Sequence, residues 1–157
     1  MRERTGSAAR LPLVAALVVV ACTVPATAAQ AATSAGGIDT VVAMVNQERE
    51  DAGCDPVTVD SRLTSAARDH SQDQADMGKM THTGSDGSTV GKRATRAGYE
   101  WSKVGENVAS GTTSPERVME LWMNSEAHRD NILNCAFEDM GVGLVDGYWT
   151  QDFATPR

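Results

Sequence analysis

From residue 38 onward the chain switches between helix-period and strand-period stretches. Ile38, Val41, Val42 and Val45 recur at helical spacing among Asn46, Glu48, Arg49 and Asp51, and Gly53 supplies a stop, which predicts a first amphipathic helix. Pro56 to Val59 reads as a short extended piece. Asp60 then caps a long helix whose packed stripe runs Leu63, Ala67, His70, Gln74 and Met77, ending near Gly78. His70 therefore falls on the packed face.

The Thr-, Gly-, Ser- and Asp-rich stretch from Thr81 to Ser88 reads as a loop, followed by a shorter helix around Val90 to Ala97 that Gly98 closes. Ser114-Pro115-Glu116 is a helix start, with the proline where a missing N–H loses nothing, and Val118, Leu121, Trp122 and Ser125 then share a face. The run Ser125 to Leu133 reads as a separate helical turn. Met140 to Val145 and Tyr148 to Phe153 flank Asp146-Gly147, a two-residue hairpin signal, with Trp149 and Phe153 pointing to the core. Helices beside short antiparallel strands predict an α+β domain with helices packed on the sheet.

Ahead of this pattern, Arg2, Arg4 and Arg10 precede the apolar run from Leu11 to Ala21, and small residues follow. That order is the pattern of a secretory signal peptide, and the run is about half as long as a membrane span requires. The expected organisation is a leader over residues 1–31 with cleavage near 28–31, a flexible lead-in over 32–37, and one domain over 38–157. A second reading exists in Val19-Val20-Ala21-Cys22, which looks like a lipobox and would leave the exported chain lipid-anchored through Cys22. Otherwise the protein is secreted and no transmembrane segment remains in the mature chain.

Losing the leader leaves about 125 residues, enough for one hydrophobic core and too few for two. The full chain carries a net charge of −7, and a leader containing three arginines takes positive charge away with it. With no basic run after Gly36, neither nucleic acid nor an anionic bilayer is expected as the main partner. Export leaves Cys54 and Cys135 together in an oxidising compartment, so one disulfide between them is expected.

Four motifs occur in order: Thr81-His82-Thr83; Gly105-Glu106-Asn107; Trp122 to Leu133, containing His128-Arg129-Asp130-Asn131; and Gly141-Val142-Gly143 leading to Tyr148-Trp149-Thr150-Gln151. Together they resemble the bacterial branch of the CAP superfamily, also called SCP-like, which includes cysteine-rich secretory proteins, antigen 5 and plant pathogenesis-related proteins. The resemblance implies a three-layer α-β-α sandwich with a central antiparallel sheet. It also implies a cleft gathering two histidines and two acids, of which His82 matches the first histidine and Glu106 one acid. Ser125 and Tyr148 stand where the second acid and second histidine belong, and His128 is positioned to compensate. Family members suggest a lipid, sterol or cell-envelope ligand.

If His82 and Glu106 converge, the carboxylate raises the imidazole's pKa and orients it, so that the pair positions water or grips a polar ligand. Adding His128 gives a two-histidine, one-glutamate set of the kind that holds catalytic zinc, so His82, Glu106 and His128 are the expected metal ligands if zinc is bound. Three functions follow: a binding module using His82, Glu106 and His128; a hydrolase using His82 and Glu106, with or without zinc; or an extracellular scaffold. The alternative roles are structural: Glu106 holding loop amides, His128 making a cap or core bond, and Trp122, Trp149 and Phe153 filling the core. Nucleophilic catalysis has little support, since Ser125 and His128 at a helix start more often form a cap.

Overall fold

The computed structural model describes residues 26–157; residues 1–25, with most of the expected leader and Cys22, lie outside the described residues. The first helix, α1, spans Ala26–Asp51 and so begins ahead of Ile38, running through the stretch expected to be a flexible lead-in. The elements that follow are β1 (Thr58–Val59), α2 (Ser61–Met77), α3 (Val90–Arg96), β2 (Trp101–Ser110), α4 (Pro115–Met123), α5 (Glu126–Ile132), β3 (Asp139–Val145) and β4 (Tyr148–Pro156).

Local chemistry sets most of these boundaries as the pattern predicts. The Asp60 carboxylate accepts the amides of Arg62 and Leu63 to start α2, and Gly78 ends it in the left-handed conformation. Thr89 caps α3 and Ser114 caps α4 ahead of Pro115. Asp146 and Gly147 both take positive φ, 47° and 79°, as the tight turn between β3 and β4 requires. Ser125 occupies the N-cap position of α5, but its side chain makes no capping bond.

The four strands form one sheet in the order β1-β3-β4-β2, antiparallel except for the two-residue parallel pairing of β1 with β3. Strand alternation then sorts residues between two helical layers. Met140, Val142, Leu144, Trp149 and Phe153 face one layer and pack with Val41 and Val45 of α1, Val118, Met119 and Trp122 of α4, and Ile132 of α5. Leu121, expected on that packed face, is instead 38% exposed: one position short of Trp122, it rotates out of the stripe. The opposite face meets α2 and α3, where Leu63, Ala94, Tyr99 and Ala154 form a smaller cluster. The expected sandwich is therefore the observed one.

The strand β2 was not legible from periodicity. Polar residues fill much of Trp-Ser-Lys-Val-Gly-Glu-Asn-Val-Ala-Ser, and it becomes a strand through pairing with β4 from Trp101 to Ser110. As the sheet edge, it has outward carbonyls that other layers satisfy: Asn131 Nδ2 donates to Glu106 O (3.2 Å) and Trp122 Nε1 to Val108 O (3.3 Å).

Two further fasteners hold the domain. The Cys54–Cys135 disulfide forms as expected, with Cα atoms 4.9 Å apart. Beside it the buried Arg49 guanidinium donates to the carbonyls of Asp55, Ile132, Asn134 and Phe137, each at 2.9 Å, tying the end of α1 to the turn after α5.

The approach of α2 to the sheet depends on glycine. A Cβ on Gly141 would lie 2.1 Å from the Leu63 carbonyl carbon, and one on Gly143 would lie 2.5 Å from the Arg68 backbone. Overpacking a core usually costs about 1 to 3 kcal/mol, and a clash with helix backbone, which cannot rotate away, belongs at the upper end or beyond. Gly141→Ala is expected to lower the urea midpoint by that amount, whereas Gly36→Ala, which meets no neighbour within 4 Å, leaves it unchanged or raises it slightly. Equal midpoints for the two variants would refute the close-approach account.

Candidate functional site

Glu106 lies on β2 directly opposite Asp152 of β4, and both side chains turn toward the α2 and α3 layer. Three other elements converge on the carboxylate. The loop after α2 brings His82, whose Nδ1–H donates to Glu106 Oε1 at 2.7 Å. From α3, the Arg93 guanidinium donates through Nη2 to Glu106 Oε2 in a short ion pair. From α2, His70 Nε2 lies 3.9 Å from the same Oε2. Arg93 also donates to Ser88 O and to His82 O, so one side chain fixes the loop and the carboxylate together.

The α2 helix anchors this loop further. His70 Nε2–H donates to Thr81 O at 2.8 Å, and Gln74 Oε1 accepts the Thr81 amide. Ser71 and Gln74 reach across to Thr150 Oγ1 on β4, both at 3.0 Å. His82 is thus presented from a loop whose base is tied to the sheet.

Exposure divides the pair. The Glu106 side chain is 3% exposed, whereas that of His82 is 59% exposed. The two expected partners do meet, but only the imidazole's outer edge reaches solvent. Its pKa is raised, chiefly by the hydrogen bond it donates to Glu106. His70 moves the other way because it is buried, with Glu106 opposing only in part.

His128 belongs to the other layer. Glu106 and Asn107 alternate across β2, and it is Asn107 that faces α5, donating through Nδ2 to His128 O at 3.1 Å and to Gln151 Oε1 at 3.0 Å. His128 makes no hydrogen bond to Glu106 or His82, and its Nδ1 is buried without a partner, as is Gln151 Nε2. Desolvation lowers its pKa first, and the charge of His82 lowers it further.

These positions do not make a metal set from His82, Glu106 and His128. Both Glu106 oxygens are already engaged, one by a guanidinium, and His128 makes no hydrogen bond to either. Among the described residues no three His, Cys, Asp or Glu side chains gather in a metal-holding arrangement. The donor set therefore does not fit zinc as expected. Tyr148 lies four positions before Asp152 on β4, about 13 Å along the strand, and takes no part.

Two residues of the site escaped sequence reasoning. Arg93 sits in a short helix that also carries Lys92 and Arg96, yet it is buried. Asp152 is fully buried and neither oxygen receives a hydrogen bond from a protein donor. Desolvation first, and the adjoining Glu106 second, push its pKa well above the carboxylate range against the pull of Arg93. Burial therefore favours the neutral acid. An aspartate amid the apolar residues of a terminal strand was the available signal.

Two measurements check these states. The chain has three histidines; in an NMR titration His82 is expected to deprotonate last, above the ordinary histidine range, and His70 and His128 below it, with Glu106→Gln bringing His82 down. A His82 value at or below the other two would overturn the pairing. Asp152 binds its proton in the folded chain at pH values where the unfolded chain has lost it. Stability therefore falls as pH rises from the usual carboxylate range through the raised folded value. Asp152→Asn removes this component, so the stability difference between variant and wild type shifts in the variant's favour between pH 4 and pH 8. No pH dependence in that difference would refute the neutral acid.

The cysteine-rich secretory protein family model, CAP, matches residues 42–153. The uncharacterized protein YkwD of Bacillus subtilis is 39% identical over 115 residues, covering 72% of this chain and 45% of that protein. The uncharacterized membrane protein YlbC of the same organism is 26% identical over 113 residues, covering 72% of this chain and 33% of that one. This chain thus spans less than half the length of either relative. A solved extracellular protein containing an SCP domain from Bacillus anthracis superposes with a TM-score of 0.73 at 29% identity, covering 76% of this chain and 40% of that one. An outer surface protein of Borrelia burgdorferi gives 0.72 at 19% identity over 78% and 94% of the two chains, a likeness of fold. The matched span contains both helical layers and every residue around Glu106, and the chain belongs to the bacterial branch of the CAP, or cysteine-rich secretory protein, family.

Proposed function

We propose that this protein is an exported binding module whose working group is the His82 imidazolium. The observation that carries the reading is the saturation of Glu106: Oε1 holds His82 Nδ1, Oε2 holds Arg93, and the carboxylate is sealed from water. Glu106 is therefore a support that keeps His82 charged and oriented, leaving Nε2–H to donate outward. The ligand is an envelope component presenting an anionic or strongly accepting group, such as a lipid headgroup. Export is supported by the leader pattern of residues 1–31, by the Cys54–Cys135 disulfide and by the extracellular relative, with lipid anchoring through Cys22 as the alternative. Among the described residues no helix is long and apolar enough to cross a membrane.

A second reading rests on the same geometry. An imidazole held by a carboxylate at Nδ1 with Nε2 outward is the arrangement of a general base, which suits a hydrolase that activates water. The raised pKa favours binding over base catalysis near neutral pH, because it increases the protonated fraction.

Calorimetric titration with short-chain, water-soluble phosphatidylglycerol and phosphatidylcholine tests the binding reading. Wild type is expected to prefer the anionic lipid at pH 6 and to lose that preference as His82 deprotonates. His82→Ala is expected to weaken the association several-fold at pH 6. Association unchanged in His82→Ala would overturn the reading, and turnover of ester substrates lost in His82→Ala would favour the hydrolase.

A further inference from the structure

The two halves of β2 differ in what lies along their outer edge. In the second half, Glu106 O and Val108 O point away from β4 and are taken by Asn131 Nδ2 and Trp122 Nε1. Antiparallel pairing turns backbone groups outward at every other residue, so Val104, two places before Glu106, also directs its N–H and C=O away from β4. Its opposite residue agrees: Ala154 gives its carbonyl to the Glu138 amide on the far side of β4. Among the described residues no other element supplies a partner for the Val104 N–H or C=O. Unpaired groups of this kind on an edge strand are a template for another strand.

The same stretch borders a groove. Between α3 and β2 lies an open hollow of about 580 Å³, within the range of about 300 to 1,000 Å³ for ligand pockets. Val90, Gly91 and Thr95 line its helix side, and Trp101 and Val104 line its strand side. The Trp101 ring is fixed in place, because Nε1 donates to Gly91 O and to Thr95 Oγ1, both at 3.1 Å. The ring also lies so close to α3 that a Cβ on Gly91 would come within 2.6 Å of it. The groove is thus preformed, and an apolar side chain entering it loses little to rearrangement.

Charge narrows the occupant. The chain carries a net charge of −7, yet no Asp or Glu lines this groove, and the two charged residues that do are Lys92 and Arg96. Arg96 pairs with Asp86 at 2.9 Å, whereas Lys92 makes no ion pair among the described residues. Lys103, exposed and one residue before Val104, makes none there either. A second copy of the chain pairing through this edge would bring the lysines of both copies together, which is unfavourable.

We infer that the Val104 edge and the groove beside α3 together bind an extended acidic peptide as a fifth strand of the sheet. The peptide backbone exchanges hydrogen bonds with Val104, an apolar side chain enters beside Trp101, and carboxylates meet Lys92 and Lys103. In this mode main-chain bonds supply affinity and alternate side chains supply specificity. His82 does not line the groove, so the site stands apart from the His82 surface.

The probe is a random seven-residue peptide library displayed on phage and selected on the folded protein, followed by NMR titration of the labelled protein with the enriched peptide in synthetic form. That peptide is expected to alternate apolar residues with Asp or Glu, and to shift the Val104 amide and the Trp101 indole saturably. Methylating its backbone nitrogens one at a time is expected to abolish binding at alternate positions only, the signature of strand pairing. Lys92→Glu is expected to weaken binding about three- to five-fold, the range of an exposed ion pair. Val104→Pro removes the outward N–H while leaving the β4 ladder its bonds, and is expected to abolish binding. The methylation series uses wild-type protein, so it decides even where Val104→Pro does not fold. His82→Ala is expected to leave the affinity unchanged, so this site and the His82 reading fail separately. No enrichment, an enriched peptide that is basic, shifts confined to another surface, or tolerance of every methylation would each overturn the proposal. So would groove shifts with short-chain phosphatidylglycerol but not with peptide, which would make the occupant an amphiphile, or dimerisation of the free protein through this strand.

Discussion

The Glu106 carboxylate is the constraint around which this side of the molecule is arranged. Placing an ion in a dry interior is expensive by several kcal/mol unless its partners come with it, and leaving one partner out of a buried pair typically costs about 3 to 5 kcal/mol. Glu106 is on an edge strand, so its partners have to come from elsewhere in the chain. They come from α3 as Arg93 and from the Thr81 to Ser88 loop as His82. The loop is therefore not a passive connection. Its carbonyls at His82 and Ser88 accept from Arg93, and its entry is gripped by His70 and Gln74, so carboxylate, guanidinium and loop fold as one unit.

Glycine makes that unit geometrically available. With Gly141 and Gly143 facing α2, the helix lies directly on β3, and its buried side chains His70, Ser71 and Gln74 arrive at the level of β4 and the loop. A side chain at either glycine would lift α2 outward, and His70 would move with it. The motif Gly-Val-Gly thus serves both layers: its valine enters the larger core with Trp149 and Phe153, while its glycines admit the helix opposite. One strand carries the apolar packing and the close polar approach on alternate residues.

Sequence reasoning recovered what is encoded locally. Caps at Asp60 and Ser114, the turn at Asp146-Gly147, the burial of His70 and the pairing of Cys54 with Cys135 each follow from residue type, short-range spacing or compartment. The meeting of His82 with Glu106 came from motif order, and nothing within either segment specifies it. Arg93, Asp152 and β2 were hidden for a common reason: each is defined by what lies across the fold. Arg93 looks like surface until a buried carboxylate is placed beside it, and β2 looks like loop until β4 supplies its hydrogen bonds. His128 is a different case: the alternation of Glu106 with Asn107 turns the carboxylate away from α5, and the bond that ties α5 to this strand runs from Asn107 to the His128 carbonyl.

The balance of charge explains which group is free to act. Glu106 and Arg93 neutralise one another within the interior, Asp152 holds its proton, and His70 is kept neutral by burial. Nothing in that inner set requires a charge on His82. The imidazole can therefore gain or lose a proton at the surface without leaving an unmatched ion inside, while its bond to Glu106 still fixes which nitrogen points outward. Had Arg93 been absent, His82 would have been the only cation against a buried carboxylate, and its titration would have been tied to the stability of the whole loop. Supplying Arg93 separates the two roles: the interior pair maintains the architecture, and the exposed histidine is left to answer to pH and to whatever it meets.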